Sequence, residues 1–451
     1  MNFPILHIPG LGDGMTIALD AVLHVLISHG LAIGAITMVV LFQALGAAGR
    51  GTFWTRLGRS MLGPLVMTTT SVGAVTGVGI WFITGALAPG GIGSLIHLFF
   101  WPWFIEWGAF TAEVVLLLIY YSLWDRTVDT RPRLLLAVGC GYVVMAVLSG
   151  ILISGILGFM LTPGGWPSGQ SFVQAYFNPT FVPQCFLRIA GGISIGALVA
   201  LTWTAWTFNG PAEERGRALR LCGFVFLAAA AVTAAAGVVY FSRVPQTYLT
   251  HWIFAVATSA LSQRPELVIL LNVVAGLVLV LAALAGVAKR ATLSRVLVIP
   301  ALVLSVGFIS EFERVREFVR GPYLLPGYMY ANQIPLVNNL AAEQEGTLPG
   351  LHWVREVRTD TAPAARSGQA LFDANCAVCH TIGGVNDITQ RIAGRTLEGV
   401  NAITSITESL VPFMTPFSGT EQERLTLSTY LYSLANKDSR PAPQLQKEKK
   451  Q

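Results

Sequence analysis

The chain has 451 residues, of which 53% are hydrophobic and only 12% charged, well under the ~25% charged content of a soluble globular domain. That composition excludes a purely soluble enzyme and leaves room for several apolar helices of ~20 residues, the length that crosses a bilayer. The net charge of +5 resides in short loops and in the tail Lys447-Glu448-Lys449-Lys450, so it gives no reason to expect a nucleic-acid partner.

Apolar stretches of crossing length recur at 16–46, 61–88, 102–124, 133–161, 179–208, 218–241, 266–288 and 296–312. They predict an all-α, polytopic transmembrane bundle of about eight spans over residues 1–320. The segment 251–262 is too short to cross and is expected to lie along the interface. Arg50, Arg56 and Arg59 follow the first span, Arg126, Arg131 and Arg133 the third, Arg215, Arg217 and Arg220 the fifth, and Lys289, Arg290 and Arg295 the seventh. The opposite loops carry only Arg243 and Arg264. By the positive-inside bias the basic loops are cytoplasmic, which puts both termini in the periplasm of a bacterial inner membrane. The first span is expected to serve as its own uncleaved signal. Cys140, Cys185 and Cys222 fall within spans, where a small buried thiol is the default.

Ionisable residues inside apolar spans are costly and read as functional by default. Asp20 and His24 lie four apart in the first span, on one helical face, so the carboxylate is placed to hold the imidazole. His24 is a candidate haem ligand, against the alternative of bonding a neighbouring carbonyl. His29, five residues on, points away from His24, so the pair does not readily share one iron. Pro102 suits the first turn of the third span, which places Glu106 near the outer surface and Glu113 at mid-membrane on the same face. Glu311 sits near the outer end of the last span with Arg314 one turn further. His97 and His251 belong to aromatic-rich interfacial segments, as ligands, as surface hydrogen-bonding groups or as contacts to haem propionates. Arg188 lies deep in a span and is expected to pair with a propionate or a carboxylate.

Residues 321–363 form a linker with Gly-Pro and Pro-Gly turns and several aromatics, a composition suited to packing on the bundle rather than to a loose tether. Beyond it, residues 364–451 hold Cys376-Ala377-Val378-Cys379-His380. Two thiols spaced to meet the two vinyl groups of a haem, followed at once by a histidine, are the c-type haem attachment signature. His380 then supplies one axial nitrogen. The same spacing also occurs in zinc sites, but Arg366 to Phe372 reads as a helix leading in and Leu425 to Leu434 as a helix closing the domain. C-type haem is attached outside the cytoplasm in bacteria, in agreement with the topology from charge.

The C-terminal layout resembles a small class I cytochrome c, a likeness that implies Met414, in Val411-Pro412-Phe413-Met414, as second axial ligand; the alternative is that Met414 fills core. The bundle resembles subunit I of the cytochrome bd oxidases over roughly residues 15–320. Ala21-Val22-Leu23-His24-Val25-Leu26 is similar to that family's first-helix histidine, an axial ligand in its high-spin haem pair. Phe104-Ile105-Glu106-Trp107-Gly108 through Ala112-Glu113 is similar to its glutamate pair, where the first contacts the high-spin site and the second serves a proton route. Ile309-Ser310-Glu311-Phe312-Glu313-Arg314 resembles a reduced form of its late E-x-G-R-Q-P-W motif, keeping a ligand-type glutamate and the arginine. Phe177-Asn178-Pro179 before a span also matches in layout. The chain departs from the family at the low-spin haem: Arg188 stands where its histidine is expected, 266–288 has no methionine, and the quinol loop after the sixth span is short.

These residues lead to one expectation: a membrane-bound respiratory b/c-type cytochrome with one covalent haem c and one or more non-covalent haems, haem b first and haem d the alternative. The expected partners are a periplasmic cytochrome or other redox protein and further membrane subunits of a respiratory complex. A quinone is not supported, because the sequence displays no pocket for one. As an electron-transfer subunit its irons would be fully ligated, with bis-histidine ligation drawing on His29, His97 or His251. The competing expectation is a bd-like terminal oxidase fed by cytochrome c, with protons supplied through Glu113.

Overall fold

The computed structural model describes residues 5–169, 171–250, 252–256, 263–351 and 363–436. His251 and residues 257–262 of the interfacial segment, the linker stretch 352–362 and the basic tail lie outside the described residues. Two compact units result. One comprises Asp20–Ile80 and Leu95–Val319, the other Met1–Leu19, Trp81–Ser94 and Arg320–Gln451.

Among the described residues, eight helices are long and apolar enough to cross a membrane: Asp13–Ala47, Phe53–Leu87, Phe100–Thr127, Pro132–Phe159, Phe172–Trp206, Ala212–Arg243, Pro265–Val287 and Ala291–Phe318. They are spans 1 to 8 below, and each overlaps one apolar stretch expected from the sequence. Their outward faces carry bare aliphatic and aromatic side chains such as Val78, Phe186, Val238, Leu270 and Val303. Without a hydrophobic drive between helices in lipid, such a bundle must hold by close packing and polar pairs.

The closest packing joins spans 1 and 5. Gly30 and Gly34 in span 1 face Gly192, Ile195 and Gly196 in span 5, and both glycine pairs have the small-xxx-small spacing. A Cβ on Gly34 would collide with the Gly192 carbonyl, and one on Gly196 with the Gly34 backbone. Span 1 is π-helical over Leu26–Ala35, across this contact. A second glycine face lies on span 2, where a Cβ at Gly73 would meet Ile27 at 2.9 Å and one at Gly77 would meet the His24 ring at 3.1 Å. Around these crossings Phe42, Leu57, Tyr120, Trp124 and Tyr142 are buried to 2% exposure or less.

The other unit is a small helical domain with a short hairpin. Helix Pro363–Asn375 crosses helix Glu421–Ala435 at Gly368, whose bare Cα receives the Tyr430 side chain. Leu371, Phe372, Leu427 and Leu431 fill the core beneath. Thr420 and Glu423 form a reciprocal capping box at the start of the closing helix. The Glu423 carboxylate also accepts from the backbone N–H groups of Thr347 and Leu348, both at 2.8 Å, and so ties the linker to the helical domain. Earlier in the linker, strands Tyr323–Leu325 and Met329–Tyr330 pair antiparallel, and Gln333 donates to the Leu87 carbonyl at 3.1 Å while accepting from Gly90 N–H at 2.9 Å.

Gly34→Val should destabilise the membrane unit by more than the ~1–3 kcal/mol of ordinary core overpacking, because the obstruction is backbone. Gly276→Val, on an open face of span 7, should leave melting of the detergent-solubilised protein unchanged. Equal melting temperatures for the two variants would refute the crossing as the keystone of the bundle.

Candidate haem sites

The Cys376–His380 loop follows directly from helix Pro363–Asn375, with Cys376 N–H bonded to the Phe372 carbonyl at 2.8 Å and His380 N–H to the Cys376 carbonyl at 2.9 Å. Burial, then the neighbouring Cys379 and Asp373, push the Cys376 thiol up to about 12, which keeps it protonated. His380 Nδ1 lies 3.2 Å from the Asn386 carbonyl. A carbonyl only accepts, so Nδ1 carries the proton and Nε2 keeps its lone pair free for a metal. Burial holds the His380 pKa below the ordinary imidazole value, again the neutral ligand form. Asn386 adopts φ 54°, a left-handed conformation that asparagine tolerates, and its side chain donates to the Cys379 carbonyl at 2.7 Å. These residues fit a covalent haem.

Met414 lies on the stretch between helices Thr407–Leu410 and Glu421–Ala435. Thr407 donates to the Thr415 carbonyl at 2.7 Å, and Ser418 N–H donates to Asn375 Oδ1 at 2.8 Å, within the buried residue just before Cys376. The segment that carries Met414 is thereby fastened to the segment that carries the cysteines.

In the membrane unit, the candidate residues sit on three different pairs of spans. His24 packs against span 2, with Nδ1 3.2 Å from Thr76 Oγ1. Asp20 does not hold the imidazole as its spacing suggested. Its carboxylate faces Gly79, two residues along span 2 from the Gly77 that receives His24, and Oδ2 has no hydrogen-bond partner among the described residues. Glu106 accepts from Ser149 at 2.7 Å, and Glu113 from Tyr142 at 3.2 Å, both across spans 3 and 4. Tyr142 also lies 2.9 Å from the Ala32 carbonyl, which links this pair to span 1. Glu311 accepts from Asn272 across spans 7 and 8 at 3.0 Å. It lines a cleft of about 630 Å³ walled by Phe241, Trp252, Phe308 and Phe312.

His29 is buried, with Nδ1 2.9 Å from Ser28 Oγ, and backs onto Gly192 of span 5, whereas His24 faces span 2. His97 is exposed at the end of helix Pro89–Leu98. Arg314 stacks on Phe318 at 4.7 Å and donates to the Val256 carbonyl. Arg188 donates to Glu313 at 2.7 Å, and Arg316 reaches the other carboxylate oxygen of Glu313 at 3.1 Å. A guanidinium offers iron no lone pair, so this buried set does not fit a haem ligand at position 188. Among the described residues, no three of His, Cys, Asp and Glu come together as a metal site.

Sequence reasoning missed Thr76, Ser149, Tyr142 and Asn272, neutral residues common in any span. Glu313 and Arg316 did carry a signal, since opposite charges three apart in an apolar helix pair with each other.

An apolar bundle with buried histidine and glutamates, followed by a c-type haem domain, is a membrane respiratory cytochrome. The model of the cytochrome bd terminal oxidase subunit I family matches residues 15–247, just over half of the chain, and the chain belongs to that family. Residues 363–431 match the model described as cytochrome C oxidase, cbb3-type, subunit III. The fold is similar to that of the bd oxidase from Geobacillus thermodenitrificans, with TM-score 0.57 and 19% identity over 70% of this chain and 90% of that one. No curated protein matches the chain.

Replacing Cys376 and Cys379 together with Ala should abolish the haem-stained band on a denaturing gel; a persisting band would remove the assignment. Asp373 supplies a pH test. Burial pushes its carboxyl up to about 6, with His7 opposing and Asp13 adding to the rise. A carboxyl raised on folding favours the folded state below its unfolded pKa of ~4, and that contribution disappears as pH climbs through about 6. Asp373→Asn should therefore raise the melting temperature most at about pH 8, by less at about pH 5, and change it little at about pH 3.

Proposed function

We propose that this chain is the electron-transfer subunit of a respiratory complex in a bacterial inner membrane, with both termini and the covalent haem on the periplasmic side. The observation that carries this reading is the His380 loop: a protonated Nδ1 held by Asn386 and an open Nε2, in a chain whose remainder is a bd-type bundle. The haem supplies a one-electron couple. His380 and Met414 are the proposed axial ligands, and Cys376 and Cys379 the covalent anchors. In the membrane we assign a non-covalent haem, haem b first and haem d second, to the region of His24, Glu106 and Glu311, with His29, His97 and His251 as further nitrogen donors and Arg314 as a propionate partner. Glu113, bonded to Tyr142, is the candidate for proton access.

A second reading, oxygen reduction, rests on the family and on the Glu106/Glu113 pair. A glutamate is a weak-field ligand and leaves iron open to a gas. What weighs against it is where the carboxylates are committed. Glu106, Glu113 and Glu311 each take a neutral donor from the next span, and His24 faces a different span from all three. The Arg188–Glu313–Arg316 set stands where the family's low-spin histidine is expected. The partner is then a periplasmic redox protein, with other membrane subunits completing the complex; a quinone site has no support.

Carbon monoxide added to the reduced, purified protein should leave the spectrum of the membrane haem almost unchanged, and oxygen uptake with reduced cytochrome c should be negligible. Rapid, cyanide-sensitive oxygen consumption would replace this reading with the oxidase.

A further inference from the structure

The residues ahead of the first span do more than lead into it. Leu6 N–H donates to the Ala86 carbonyl at 3.1 Å, and from there Leu6–Gly14 runs along the loop that carries His380. Two backbone hydrogen bonds flank that histidine. Gly14 N–H donates to the Val378 carbonyl at 3.2 Å on one side, and Val385 N–H donates to the Gly10 carbonyl at 2.7 Å on the other. The contact is close at Gly384 and Gly12. A Cβ on Gly384 would run into Gly10, and one on Gly12 would lie 2.9 Å from Thr381 Cγ2. Gly10 and Gly12 both have positive φ, 76° and 84°, which glycine adopts without strain.

The segment is itself fixed. Asp13, 1% exposed, accepts from Ile8 N–H at 3.0 Å and lies 2.7 Å from His7 Nδ1. Val385 is the neighbour of Asn386, whose carbonyl takes the His380 Nδ1 proton. A continuous chain of bonds thus leads from Gly10 through Val385 and Asn386 to the imidazole.

We propose that Leu6–Gly14 is a strap that positions His380, acting through Asn386 to set the basicity of the axial nitrogen. It rests on the reading of Cys376–His380 as a covalent haem site. An imidazole whose N–H is held by a carbonyl is a stronger donor and favours the oxidised metal. Loosening the strap should weaken that bond and raise the midpoint potential of the covalent haem.

The test uses the full-length haem-loaded protein in detergent. Gly12→Val should keep the stained covalent band and lower the oxidised-to-reduced ratio at fixed potential about tenfold, a rise in midpoint of about 59 mV for one electron. It should also speed hydrogen exchange at the Val385 amide. Gly394→Val, at a positive-φ glycine of the same domain with open space around it, should change neither. Asp13→Asn keeps an acceptor for Ile8 but loses the ion pair with His7, and should give a smaller rise; it serves if Gly12→Val does not accumulate. No rise in either strap variant overturns the strap and leaves the haem assignment standing. An equal rise in Gly394→Val also overturns it, as general strain. A wild-type protein without covalent haem overturns the site and the strap together.

Discussion

The contact between spans 1 and 5 sets what the membrane unit can be. Four glycines let two backbones approach until the Gly34 and Gly192 peptides touch. Inside lipid the gain comes from dispersion and from the absence of side chains to reorder, not from expelling water. The π-helical turn of span 1 lies across the same contact. His24 and His29 flank the start of that turn, so the spacing of the two histidines in space is fixed by a backbone feature rather than by a side-chain preference. Mid-membrane π segments often mark functional stretches.

With the backbones fixed, the polar side chains find partners one helix away. Glu106 with Ser149, Glu113 with Tyr142 and Glu311 with Asn272 follow one pattern: an acid on one span and a neutral donor on the next. Each pair gives the acid a hydrogen bond without a counter-charge. The Arg188–Glu313–Arg316 set is the opposite design, in which charge is matched by charge.

What the sequence revealed depended on whether the signal was local. The spans were legible because twenty apolar residues in a row have few alternatives; each expected stretch overlaps one helix, while several helices begin five to eight residues earlier in less apolar sequence. The Cys376–His380 motif was legible because the chemistry requires its spacing. Partners far apart in the chain were not: Thr76 lies 52 residues from His24, and Tyr142 29 from Glu113, and nothing at either position advertises the pairing. Asp20 and His24 mark the limit of helical-face reasoning. The two do project toward one neighbour, yet each meets different residues of it, His24 at Thr76 and Gly77 and Asp20 at Gly79. The strap at Leu6–Gly14 was invisible because its contacts are made by backbone, and its glycines read as an ordinary turn.

The ion set between spans 5 and 8 also bears on how the protein is made. Glu313 and Arg316 emerge from the ribosome together, three residues apart, and can enter the bilayer as a neutral unit. Arg188 emerges alone, 125 residues before its carboxylate. At ~5–20 residues per second that interval is roughly 6–25 s. A lone arginine at the centre of a helix costs ~2.5–3.5 kcal/mol on insertion scales. Span 5 must therefore wait near the translocon or let the guanidinium reach toward the headgroups, and its seating is completed only when the last helix arrives.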